Sequence, residues 1–254
     1  MNTLITGASS GIGEALALEC ARRGDSLFIC GRNALRLAAV EARCRALLPD
    51  WAFVHAKVLD ITDLDATAAW LRECDAAAPL ERVFSNAGIA TGSETDTNVR
   101  ATFATNVTAN MNVVLVALEL MRRRKAANPA CHAQILITAS IAGYSALPTC
   151  PAYSATKSCM KTWALALRGM LGREGIMVSA ICPGFVRSRI TDRNTCPMPF
   201  FMEADKAARI ILRRAARNAG LIAFPWPMRL AAWLLSCAPQ CIAEFISRAL
   251  PPKA

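Results

Sequence analysis

Short apolar, β-prone runs alternate along this chain with stretches whose apolar positions recur every three to four residues. "TLIT" (3–6) reads as a buried strand running into a glycine-rich turn, and "EALALECARRG" (14–24) as an Ala/Leu helix halted by Gly24. The pattern then predicts a strand at "SLFIC", a helix over 33–50, a strand over 52–60 and a helix over 63–77. A strand over 81–88 ends in a turn, one long helix covers 99–125, and "AQILITAS" (133–140) reads as a central strand. A helix over 152–172, a strand over 176–184 and a last short strand at "LIAFP" (221–225) complete the series. The strands are apolar throughout rather than alternating, as in a parallel sheet covered on both faces. Repeated strand–helix pairs therefore predict a doubly wound α/β domain with right-handed crossovers. No repeat, low-complexity tract or linker divides it, so one domain is expected.

Composition supports a large core. Of 254 residues, 54% are hydrophobic and 19% charged, which excludes disorder. The formal charge of +10 could suit nucleic acid, but the arginines are scattered and aromatics make up only 6%, so no nucleic-acid surface is predicted. The densest basic run, Arg122 to Lys125, falls where a helix should end and suits its dipole. The eleven cysteines include no C-x-x-C pair, and His55 and His132 lie far apart, which argues against a metal centre or a disulfide framework. Cys30, Cys159 and Cys182 lie in apolar stretches and are expected to pack as small hydrophobes, which fits a reducing, cytoplasmic compartment. "MNTLITGASS" has neither the basic leader nor the apolar run of a signal peptide. Residues 126–156 carry no formal charge, yet Pro129, Gly143, Pro148 and Pro151 make them buried strand and loop rather than a membrane span.

The chemistry begins at "TGASSGIG". Gly7 permits a tight turn, Gly11 lets a backbone approach a pyrophosphate, and Gly13 lets helix and strand pack closely. The helix that follows offers free N–H groups and a positive dipole end. Alone, this is also what any tight strand–helix turn needs. Further on come Asn86-Ala87-Gly88, Tyr153 with Lys157 four residues later, and Pro183-Gly184. In that order and at those distances, from Thr3 to about Pro225, the chain resembles the short-chain dehydrogenase/reductase family. The resemblance implies a Rossmann-type sheet of strand order 3-2-1-4-5-6 plus a seventh strand, and a hydride-transferring enzyme on a carbonyl or alcohol. It implies a cofactor site made of Gly7, Ser9, Ser10, Gly11, Ile12, Gly13, Arg32, Asp60, Ile61, Asn86, Ala87, Gly88, Pro183, Gly184, Val186 and Ser188, with Tyr153 and Lys157 shared with catalysis. Asp60 would bond the adenine amino group, although a carboxylate closing a strand-end turn fits equally well. Metal is not expected.

NAD-preferring relatives carry an acid where this chain has Gly31. Gly31 leaves room for a 2′-phosphate, Arg32 can grip it with a planar charged fork, and Arg36 adds a second cation. NADP(H) is therefore expected over NAD(H), although Ser10 stands where many NADP-preferring relatives carry Lys or Arg. On one helix face, Tyr153 and Lys157 lie side by side, and a fixed ammonium should bring the phenol, ordinarily near ~10, toward working pH. By the resemblance Tyr153 is the proton donor, Ser140 bonds the substrate oxygen, Asn106 holds a relay water, and Lys157 also holds the ribose. A non-catalytic NADP-binding sensor or scaffold is the alternative, and it has no need of four roles kept in register. The glycine spacing disfavours epimerase or dehydratase chemistry on nucleotide sugars.

Residues 187–208 are expected to form a substrate loop and lid, and Met198, Phe200, Phe201 and Met202 favour a hydrophobic carbonyl. Domain boundaries are set at 1–226, with 227–254 an apolar helical extension. In that extension residues 241, 242, 245, 246 and 249 form a stripe. It could cover the pocket, pair subunits of a homodimer or homotetramer, or touch a membrane peripherally, and packing or pairing is the favoured reading.

Overall fold

A computed structural model describes residues 1–193 and 197–248. Along the chain run β1 (Asn2–Thr6), α1 (Gly11–Arg22), β2 (Ser26–Gly31), α2 (Ala34–Arg45), β3 (Val54–Val58), α3 (Leu64–Ala77) and β4 (Arg82–Ser85). After them come α4 (Asp96–Phe103), α5 (Asn110–Ala127), β5 (Gln134–Thr138), α6 (Pro151–Leu171), β6 (Met177–Pro183), α7 (Ala204–Ala215), β7 (Leu221–Phe224), α8 (Trp226–Cys237) and α9 (Gln240–Arg248). The seven strands form one parallel sheet in the order β3-β2-β1-β4-β5-β6-β7, as the family resemblance implied. The order reverses beside β1, and in such sheets the ligand crevice opens at the C-terminal ends of the strands flanking that point.

Successive strand residues feed opposite cores. Leu4 packs with Trp70 and Leu71 of α3, Val113 and Ala117 of α5 and Met160 of α6, while the next residue, Ile5, packs with Leu16 of α1, Leu37 of α2 and Ile211 of α7. Both strand residues are fully buried, which is why the runs read as continuously apolar. Each such side chain contributes about 1.5–3 kcal/mol relative to exposure. β3 is shorter than the sequence pattern suggests, because it is the edge strand and its last residues, Lys57 and Val58, face outward.

The long helix expected over 99–125 is interrupted. It starts earlier, at Asp96 behind the cap Thr95, and widens into a π-helical turn over Ala104–Ala109 before α5 resumes. Side chains enter the backbone ladder there: the Asn110 amide donates to the carbonyls of Thr105 (2.8 Å) and Ala87 (2.9 Å). Among the described residues the helical run 96–127 is long and apolar enough to cross a bilayer, but over half of its most apolar window is buried in the fold. At the end of α5 each basic residue has a local partner. Arg122 pairs with Glu174, Arg123 with Glu119 and Arg124 with Asp75, and Lys125 donates to the Pro129 carbonyl. Cys30 and Cys182 are buried, whereas Cys159 is exposed on the outer face of α6, contrary to its apolar surroundings in sequence. α8 rests against β7 and the turn at 141–143, and none of its residues is buried. Position 249 of the apolar stripe lies outside the described residues.

Candidate active site

A cavity of about 310 Å³ opens where β1, β2, β4, β5 and β6 end. Every cofactor-site residue named from sequence lines it. Gly7 and Gly11 take left-handed φ values of +68° and +60°, which only glycine adopts without strain. A Cβ on Gly7 would stand 2.7 Å from the Ala87 Cα, and one on Gly13 would overlap the Gly7 carbonyl oxygen and lie 2.7 Å from the Asn86 amide nitrogen. The turn is thus folded tightly against the β4 end. Thr6 fixes that contact: its hydroxyl accepts the N–H groups of Asn86 (3.0 Å) and Ala87 (3.1 Å). Ser10 caps α1 from an extended backbone without a side-chain cap bond, so the first turn's N–H groups keep their free capacity at the cavity wall. Replacing Gly13 by Ala is expected to destabilise the fold by about 1–3 kcal/mol through overpacking and to weaken dinucleotide binding. An unchanged denaturation midpoint would show that the turn can relax.

Two arginines stand at the β2 end of the cavity. Arg32 lies 3.6 Å from the Asp60 carboxylate, both groups about half exposed, which makes a weak pair. The Asp60 Oδ1 accepts from the Thr62 N–H (3.0 Å) and hydroxyl (2.9 Å). Partial burial alone would raise this carboxyl, but the Thr62 bonds and the Arg32 guanidinium hold it below the usual carboxylate range. The Nε of Arg36 is buried with no hydrogen-bond partner. Gly31 has a further role: a Cβ there would stand 2.9 Å from both the Cβ and Oγ of Ser9. The glycine lets the phosphate-type turn close onto β2, as well as leaving space at the strand end.

At the other end of the cavity α6 presents Tyr153 and Lys157. Lys157, only 4% exposed, donates to the Thr138 carbonyl at 3.0 Å and stands 5.7 Å from the Tyr153 ring centre. The Tyr153 phenol is hydrogen-bonded to the Ser140 side chain, whose oxygen also accepts the Ala142 N–H at 3.1 Å. Asn106 is not in the cavity wall. From behind, its Oδ1 accepts the Ile89 N–H (2.8 Å), and its amide donates to the Ile89 carbonyl (2.9 Å) and to the Thr156 hydroxyl (3.2 Å). The Thr156 hydroxyl in turn donates to the Tyr153 carbonyl at 2.8 Å. Between Asn106 and Lys157 lies Gly88, where a Cβ would be 3.3 Å from the side chains of both.

The direction of the phenol's shift differs from the sequence expectation. Burial dominates both groups, pushing the Tyr153 phenol up to about 12 against the Ser140 bond and drawing Lys157 down to about 8. The ammonium, anchored to Thr138, does not outweigh desolvation of the phenol. Other members of the site gave little signal in sequence. Glu94 offers both carboxylate oxygens to the Ala152 N–H (3.1 and 3.2 Å) at the start of α6, whose N-cap, Cys150, supplies no cap bond. The signal was a helix opening on Cys-Pro with no Ser, Thr, Asp or Asn to cap it. Thr191 lines the cavity and holds Ser188, accepting its N–H at 2.8 Å. The lid base is pinned where Val186 pairs with Met202, and residues 194–196 of the expected lid lie outside the described residues.

Fold and site together define an oxidoreductase of the dinucleotide-binding type. The model of the short chain dehydrogenase family matches residues 1–197, and the chain belongs to that family. It is 34% identical over 254 residues to an uncharacterised oxidoreductase of Myxococcus xanthus, covering 97% of this chain and 96% of the relative. Among solved structures it is similar to a short-chain dehydrogenase from Sphingobium yanoikuyae in complex with NADPH, with a TM-score of 0.78, 28% identity and coverage of 94% and 97% of the two chains. A Mycobacterium paratuberculosis short chain dehydrogenase bound to NAD shares the fold at 21% identity, with a TM-score of 0.74 and coverage of 87% and 94%.

Proposed function

We propose that this enzyme is an NADPH-dependent reductase of hydrophobic carbonyl compounds, working in reverse as an alcohol dehydrogenase. The observation that carries the reading is one cavity that joins the hydrogen-bonded Ser140–Tyr153 pair and Lys157 to a glycine-rich turn at a helix N-terminus. The residues suit the dinucleotide. Gly7, Gly11 and Gly13 leave the backbone bare at the α1 N-terminus, and the orphaned Arg36 Nε beside Arg32 suits a 2′-phosphate. Lys157 would hold the nicotinamide ribose, and Ser188 the carboxamide. When bound, the nicotinamide supplies hydride to the carbonyl carbon. Tyr153 gives its phenolic proton to the carbonyl oxygen, while the Ser140 hydroxyl donates a hydrogen bond to that oxygen as negative charge builds on it. Lys157 stabilises the phenolate left behind and returns a proton to it, with Asn106 holding that end of the site in register through Ile89 and Thr156. Phe200, 58% exposed, and Phe201 offer apolar surface on the lid, which favours hydrophobic substrates.

A panel of aliphatic and aromatic ketones, read by loss of NADPH absorbance, tests this reading. Tight NADPH binding with no turnover across the panel would favour a sensor instead. The pH profile gives a sharper check. Reduction needs a proton on Lys157, so kcat should be level below about pH 8 and fall above it as that group titrates. Lys157→Met should abolish the break along with most of the activity, and a profile level well beyond that pH would remove Lys157 from the relay.

A further inference from the structure

We infer that α8 and α9 form a docking surface for an anionic lipid membrane. On α8 the large exposed apolar residues are Trp226, Leu230, Trp233 and Leu234, at i, i+4, i+7 and i+8, which is a single stripe. On α9 they are Ile242, Phe245 and Ile246, again one face. Trp226 and Phe245 are 73% and 79% exposed, so the fold leaves the tail's largest side chains in water. The polar side of α9 is occupied separately, since Gln240 donates to Glu244 at 2.9 Å across the helix from the stripe. A contiguous apolar surface of this kind on a folded chain marks a contact with something else.

The charge beside the stripes points to anionic lipid. Arg229, three residues after Trp226 and four before Trp233, borders the α8 stripe and makes no ion pair among the described residues. Lipid phosphates supply the counter-charge that Arg229 lacks among the described residues. An arginine at the edge of an apolar stripe reaches headgroups while its stem lies along it, and tryptophan favours the same interfacial depth. The chain's +10 charge adds attraction of the same sign. The other face of α8 meets the cavity wall: the Met228 sulfur stands 2.8 Å from where a Cβ on cavity-lining Gly184 would be.

The test is flotation of the full chain with vesicles of phosphatidylethanolamine and phosphatidylglycerol, alongside vesicles of phosphatidylcholine alone. Co-flotation with the anionic vesicles is expected, and it should weaken with added salt. Trp233→Glu combined with Phe245→Glu should lower that binding about tenfold or more by removing two buried aromatic anchors. Arg229→Glu, which leaves the apolar stripes intact, should lower it on anionic vesicles only. Both variants alter exposed side chains, and unchanged NADPH binding would show that they fold, a readout that needs no substrate. Absence of co-flotation, equal binding to phosphatidylcholine, or a lipid-free dimer in light scattering that the aromatic variant splits would each overturn the assignment. The last of these would give the surface to a second copy.

Discussion

Tyr153→Phe is expected to lower kcat by about a hundred- to ten-thousandfold, the range that general acid catalysis supplies, with NADPH affinity close to that of the parent enzyme. The substitution deletes one oxygen and keeps the ring that packs on α6. On the proposed mechanism it removes the proton donor and the partner of the Ser140 hydroxyl together. The anchor of Lys157 on the Thr138 carbonyl is untouched, which is why cofactor binding should survive. Fluorescence titration with NADPH and steady-state turnover on one accepted ketone would measure both quantities. More than a few per cent of residual turnover would take the proton-donor role away from this phenol.

Arg32→Ala should weaken NADPH by roughly ten- to hundredfold, the value of one charge-assisted hydrogen bond of about 1.5–3 kcal/mol. NADH, which has no 2′-phosphate, should be almost unaffected. The Asp60 pair offsets little of this, because at 3.6 Å and half exposed it holds the guanidinium loosely. Changing Gly31 to Asp as well is a poorer experiment than the sequence suggests. The new Cβ would press on Ser9 and disturb the turn for both cofactors. The measurement is kcat/KM with each cofactor for Arg32→Ala alone, followed by Arg36→Ala. If neither moves the ratio, or the parent enzyme already prefers NADH, the arginines are not phosphate ligands.

The architecture was legible because a parallel sheet buries both faces of every strand, and runs such as "SLFIC" and "AQILITAS" have no other home. The glycine turn and the Tyr153–Lys157 spacing were legible because their geometry is local, set within a few residues of backbone. What escaped depends on contacts between distant segments. The π-helical turn at 104–109 exists because Asn110 reaches Ala87, and nothing in "TNVTAN" announces that partner. Thr138 and Thr156 act through single bonds to Lys157, and to Asn106 and Tyr153, so no periodicity marks them. The direction of the Tyr153 shift was misjudged because charge proximity can be read from spacing, while the depth of burial that overrides it cannot. Cys159 fell on the outer side of its helix, where one step in the 3.6-residue period decides exposure.

The clasp between Glu94 and the first turn of α6 ties together two parts of the enzyme with different tasks. Ile89 and Ala90, on the same connection as Glu94, border the cavity, while the N–H that Glu94 accepts belongs to the residue next to Tyr153. Any outward shift of that connection would withdraw the carboxylate and leave the first turn of a twenty-one-residue helix without that acceptor. One hydrogen-bonded carboxylate thus fixes the cavity rim and the backbone beside Tyr153 relative to each other.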